Sequence, residues 1–208
     1  MKKTLRIINV RKILALSFLI IIFIQNCSSR EGYIIENRKL TWDDFEGGEP
    51  LFAFSTVART TTYLKLAPSR PYKVKAWCEF VKESSFVKEK VFDQNDNVVY
   101  TLLEHEQGHY DICILYSRIL RKKISSTLFS PSMNDLRIEL TEIFQDTFQE
   151  MKDMNMEYDN DTGHGHYENE ELVFPLDKQK YWTKRIASLL NQYWYYSTNK
   201  EIDLKFVR

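Results

Sequence analysis

His105-Glu106-Gln107-Gly108-His109 is the stretch whose residue types and spacing could do chemistry. On a helix, positions four apart lie on one face about one turn apart, so His105 and His109 can grip one ion from the same side. Zinc takes such nitrogen ligands, and a catalytic zinc keeps one coordination position open for water. Glu106 sits about 100° round the helix from His105. From there its carboxylate can take a proton from that water. The chemistry requires a helix, and the flanks predict one. Leu102, His105, His109, Ile112, Tyr116 and Ile119 recur at three- and four-residue steps. Apolar residues share the stripe, so the imidazoles point inward, where buried polar groups need partners.

A third ligand must come from elsewhere. The four histidines of the chain fall in two places, 105 and 109, then 164 and 166. His164 is the expected third ligand, because the glycines on either side let the backbone approach an ion closely. The alternative is a carboxylate from the next helix, Glu139 or Glu142, giving the two-His, one-Glu set that zinc peptidases use. Asp159 is a candidate acceptor for the free N–H of a ligand imidazole. Tyr158 and His166 are candidates to stabilise an oxyanion. Asp111 lies about 200° round the helix from His109 and faces away. Cys113 lies one turn beyond His109, but a His-His-Cys set over three positions spans about 12 Å, too long for one zinc. It reads as core. Cys78 and Cys113 can pair outside the cytoplasm or pack as two buried thiols.

The elements that must position these residues follow from period and punctuation. The segment 52–66, rich in Thr, Val, Phe and Tyr, favours a strand, which Pro68-Ser69-Arg70-Pro71 is expected to break. Tyr72, Val74 and Ala76 alternate with Lys73, Lys75 and Trp77, a half-buried strand. The polar loop 93–97 ends in helix-capping residues. Beyond the motif helix, Arg118 to Lys123 form a cationic, solvated helix end. A second helix follows Pro131, with Asn134 as candidate cap and Leu136, Leu140, Phe144, Phe148 and Met151 on one stripe. Residues 157–171 are polar, with two glycines, and read as a loop. Pro175 suits the first turn of a third helix, whose Trp182, like Trp42, reads as core. Strands followed by helices give an α+β fold.

Composition sets the location. The first residues carry Lys2, Lys3, Arg6, Arg11 and Lys12, no acid occurs before Glu31, and an apolar run fills 13–24. A basic start and a 12-residue apolar core match a secretory signal and are short for a membrane-spanning helix. Cys27 with Ser28 and Ser29 behind it resembles the end of a bacterial lipoprotein signal, with Cys27 as the lipidated residue. Residues 1–27 are thus signal, 28–38 tether, and 39–208 one domain outside the cytoplasm. Setting aside the five basic residues leaves 24 against 29 acids. A mildly acidic domain is a poor partner for nucleic acid.

Leu40-Thr41-Trp42-Asp43-Asp44-Phe45, His105-Glu106-Gln107-Gly108-His109-Tyr110-Asp111, Thr162-x-His164-Gly165 and Gln179-x-x-Trp182 together resemble a bacterial family of secreted zinc-dependent proteases known as domain of unknown function 922. The resemblance implies a zincin-like fold, with N-terminal antiparallel strands, the motif helix and two further helices. It implies a peptide or protein as substrate and Zn2+ as cofactor. The expected function is a membrane-tethered extracytoplasmic metallopeptidase with Glu106 as general base. The alternative is a non-catalytic envelope lipoprotein with a structural metal or a binding role.

Overall fold

The computed structural model describes residues 38–49, 56–163, 166–168 and 171–207, the side chains of 166–168 excepted. The expected signal, Cys27 and residues 28–37 of the tether lie outside the described residues. Among those described, no helix is long and apolar enough to cross a membrane.

The motif lies on helix α1 (Asp96–Ser126), 31 residues long. Its start follows the predicted capping: the Asn95 side chain accepts from the Asn97 amide at 2.9 Å. The positions expected to face inward do so, with Leu102 and Ile112 fully buried.

One side of α1 is covered by a three-stranded antiparallel sheet. Strands β2 (Thr62–Arg70) and β3 (Lys73–Phe80) form a hairpin, and β8 (Ile202–Asp203) extends β3 from the far end of the chain. The predicted alternation holds in β3, where Val74, Ala76, Cys78 and Phe80 are buried. The predicted break does not fall at Pro68. β2 continues to Arg70 with a register shift between Pro68 and Arg70. As an edge strand it can lose the Pro68 donor without losing a ladder bond. The reversal comes at Pro71-Tyr72, where Tyr72 takes φ 59°.

The other side of α1 meets helices α2 (Met133–Thr162) and α3 (Leu176–Gln192). Three sequence expectations are corrected here. Helix α2 begins at Met133 with Ser132 as its cap residue, so Asn134 is already inside the first turn. It does not end before 157 but runs to Thr162, closing on Gly163 with φ 70°, whose amide donates to the Asp159 carbonyl. Its polar last turns stay helical because Met151, Met154, Tyr158 and Thr162 are buried at three- and four-residue steps. The rest of the expected loop contains a hairpin, β6 (His166–Glu168) with β7 (Glu171–Val173). Pro175 sits one position before α3, as its cap residue.

Two short pairs complete the α+β fold. β1 (Ala58–Arg59) pairs antiparallel with β4 (Phe86–Val87), and β5 (Leu128–Phe129) pairs parallel with β9 (Lys205–Phe206). The basic end of α1 is not a solvated tail throughout. Arg118 and Arg121 are buried. Arg118 donates to the Leu190 carbonyl at 2.8 Å, while Arg121 donates to the Ala76 carbonyl at 2.8 Å and to the Tyr196 carbonyl. These two guanidiniums satisfy carbonyls at the sheet and at the end of α3, which binds the C-terminal segment to the core.

Candidate metal centre

Adjacent turns of α1 present His105 and His109, and the last turns of α2 present Asp159 to them. The two Nε2 atoms are 3.2 Å apart. Asp159 Oδ1 lies 2.9 Å from Nε2 of His109 and 3.6 Å from Nε2 of His105. Ligand atoms about 2.0–2.1 Å from a tetrahedral ion are about 3.3 Å from one another. The three observed separations bracket that value, and these three residues are the one group among the described residues with metal-ligand character.

The remaining ring nitrogens fix the tautomers. Asn155 donates its amide to the Met151 carbonyl at 2.9 Å, which turns its Oδ1 to His109 Nδ1 at 2.8 Å. The Thr162 hydroxyl donates to the Tyr158 carbonyl at 2.7 Å, so its oxygen accepts from His105 Nδ1 at 3.2 Å. Both imidazoles therefore carry hydrogen on Nδ1 and direct Nε2 inward, the arrangement that outer partners impose on metal-ligating histidines. The electrostatics also favour a cation. Burial lowers the pKa of His109, but the hydrogen bond and charge of Asp159, with the charge of Glu106, raise it to about 9.

Glu106 is buried. Burial pushes its carboxyl above the ordinary range, while His109 and Thr60 pull it down and Asp159 raises it further. Its Oε2 has no hydrogen-bond partner among the described residues. A buried carboxylate oxygen left so costs roughly 1–3 kcal/mol or more. It marks a place where a water or substrate group is wanted. The donor set therefore fits a divalent metal ion, and the Glu106 carboxylate feels the charges of His109 and Asp159.

Sequence reasoning missed the other roles inside the pentapeptide. Gln107 accepts from the Leu40 amide at 2.7 Å and donates to Asp111 at 2.8 Å, tying the N-terminal segment to α1. A Cβ on Gly108 would overlap the Tyr158 hydroxyl and come within 2.6 Å of its Cζ. Glycine there lets α2 approach closely enough for Asp159 to reach the histidines. The Tyr158 ring stacks on His105 at 4.8 Å, and its hydroxyl donates to the His105 carbonyl at 3.0 Å while accepting from Gln179 at 2.9 Å.

Several expectations change. The Tyr158 hydroxyl, expected to stabilise an oxyanion, is already committed to the His105 carbonyl and to Gln179. Asp159 joins the triad directly, on Nε2 rather than on the outer Nδ1 atoms. A carboxylate does arrive from the second helix, but not Glu139 or Glu142. Glu139 accepts from the Ser130 amide at 3.0 Å, and Glu142 is exposed. They lie about 26–30 Å along α2 from Asp159. His164 lies outside the described residues, as does the side chain of His166. Trp182 is fully buried, as expected, and donates to Asp161 at 2.8 Å, whereas Trp42 is half-buried. Cys113 is core, and it is disulfide-bonded to Cys78 with a Cα–Cα distance of 5.7 Å. A cavity of about 200 Å³ lies across Tyr158 from the triad, between Lys39, Gln107, Asp111 and Ile186, and contains none of the three metal-ligand candidates.

Residues 76–165 match the model of a family described as bacterial protein of unknown function (DUF922). The match covers the second half of β3, the motif helix and all of α2, so the resemblance to this family holds over the segment that carries the triad, and the family model assigns no function. No curated protein matches the chain, and no solved structure does.

Proposed function

We propose that this chain, with its DUF922 segment across residues 76–165, is a zincin-like, zinc-dependent metallopeptidase tethered outside the cytoplasm through lipid on Cys27. One observation carries the catalytic part: two histidines with Nε2 fixed inward share a donor cluster with Asp159, beside a buried Glu106 whose Oε2 has no partner among the described residues. A purely structural site would not need that carboxylate.

His105, His109 and Asp159 would hold the ion. When bound, zinc supplies Lewis acidity that polarises the scissile carbonyl and acidifies an attacking water. Glu106 takes the proton from that water on Oε2 and delivers it to the leaving amine. Asn155 and Thr162 keep the imidazoles oriented through the cycle. The N-terminal signal pattern supports the envelope location, and the Cys78–Cys113 disulfide suits an oxidising compartment.

The test is metal content and cleavage of a mixed peptide library for the full chain and for Glu106→Gln. One zinc in both proteins, with cleavage lost in the variant, supports peptidase action. Zinc in both and no cleavage by either supports the non-catalytic lipoprotein. A protein that takes up no divalent metal refutes the metal reading outright.

A further inference from the structure

We infer that the cavity beside Gly108 is a binding site for a single apolar α-amino acid, held as its zwitterion. It lies across Tyr158 from the triad, and its chemistry needs no metal. About 200 Å³ is open between the N-terminal segment, α1 and α3, close to seven times the volume of one water in the liquid. Much of the wall is apolar, from Leu40, Leu103, Ile186 and the Tyr158 ring. Two opposite charges share that wall. Asp111 is half-buried and accepts from Gln107 at 2.8 Å, and its carboxylate makes no other hydrogen bond among the described residues. Lys39 is exposed and makes no hydrogen bond or close ion pair among them. Both positions are held. Gln107, which donates to Asp111, also accepts from the Leu40 amide at 2.7 Å, and Arg38 pairs with Asp44 at 2.7 Å. The backbone is therefore tied down on either side of Lys39.

A carboxylate, an ammonium and an apolar wall in one cavity match the three parts of an amino acid. The ligand's ammonium donates to Asp111, a charge-assisted bond. Its carboxylate faces Lys39, and its side chain leaves water against Leu103 and Ile186. Because Lys39 is exposed, its pairing adds less than that of Asp111. A metal ion fits poorly. Glu104, the other carboxylate of the lining, is about 10 Å along the helix from Asp111, whereas oxygen ligands must come within about 2.6 Å of one cation. Glu104 instead accepts from the Tyr100 hydroxyl at 3.3 Å.

The test is calorimetric titration of the full chain with L-leucine, isopentylamine and 4-methylpentanoate. EDTA is present throughout, so that chelation at the triad plays no part and the metal reading stands or falls separately. Leucine should bind at one site per chain, more tightly than the analogue lacking its carboxylate or the one lacking its ammonium. Asp111→Asn, which keeps an acceptor for Gln107, should weaken leucine and isopentylamine about 10- to 100-fold. Lys39→Met changes an exposed side chain and leaves folding intact. It should weaken leucine about two- to fivefold and leave isopentylamine unchanged. Absence of saturable leucine binding by wild type, or equal leucine affinity in wild type and Asp111→Asn, overturns the assignment. Isopentylamine binding as tightly as leucine also overturns it, since the ligand carboxylate would then have no partner.

Discussion

Toward the sheet, α1 presents Tyr110 and Cys113 to Phe80 and Cys78; toward α2 it presents His105 and His109 to Asp159 and Asn155. The sheet side is closed by apolar packing, with the Phe80 and Tyr110 rings edge to face at 5.6 Å, and by a disulfide. The α2 side buries His105 and Glu106, half-buries His109 and Asp159, and leaves a carboxylate oxygen without a partner among the described residues. Buried polar groups of that kind lower stability unless something binds them. The comparison teaches a division of labour on a single helix. The sheet face supplies rigidity, and that rigidity offsets the strained electrostatics of the other face, as functional sites commonly require.

If the division is right, damage to the two faces must separate. Replacing both Cys78 and Cys113 by Ala removes a cross-link between residues 35 apart in sequence. Loss of that constraint should cost roughly 4 kcal/mol in denaturant unfolding, while zinc stoichiometry persists in the fraction that stays folded. A loss of metal without loss of stability would break the comparison.

Gly108→Ala joins the two properties, because Gly108 lies where α1 and α2 touch. Overpacking against Tyr158 should cost about 1–3 kcal/mol, partly offset by the ~1 kcal/mol helix-propensity gain of alanine. Zinc affinity should fall with it, since Tyr158 and Asp159 are neighbours on α2. Unchanged affinity would show that Asp159 does not depend on the close approach.

Asn155→Ala acts on the α2 face alone. It should weaken zinc binding about 10- to 100-fold with only a small change in stability, as read by competition with a chelating indicator. The smallest effect lies away from both faces, in the N-terminal turn. Burial raises the Asp44 carboxyl, but the Thr41 amide, Arg38 and Lys82 outweigh it and hold the pKa below the ordinary 3.8. A depressed folded pKa gives stability that is present above the unfolded value and lost as pH falls through the folded one. Unfolding free energy should therefore decline below about pH 4, with a shallower decline in Asp44→Asn and no effect on zinc binding at neutral pH. Equal slopes in the two proteins would remove Asp44 from the explanation.

Much of the sheet face and half of the site were legible in the sequence. The alternation from Val74 to Phe80 and the helical recurrence of Leu102, His105, His109 and Ile112 are local patterns, and local patterns survive folding. The capping chemistry of the polar loop 93–97 announced the start of α1. Asp159 was not legible as a candidate ligand because Asp159, Asn160, Asp161 and Gly163 have turn-forming chemistry that argued for a loop. What keeps that segment helical is the buried spacing of Met154, Tyr158 and Thr162, together with the fit of Tyr158 over Gly108. The spacing was present to be read, but the fit is tertiary. The buried roles of Arg118 and Arg121 and the β5–β9 pair depend on partners some 70–80 residues away, which no local pattern reveals.

The central claim is that His105, His109 and Asp159 form one metal site. Zinc titration of the full chain and of Asp159→Asn, followed calorimetrically at pH 7.5, tests it most directly. One site per chain in wild type is predicted, with affinity at least 100-fold weaker in the variant, in line with the loss of a charged ligand. Equal affinity in the two proteins would contradict the claim, because the third donor would then lie elsewhere in the chain.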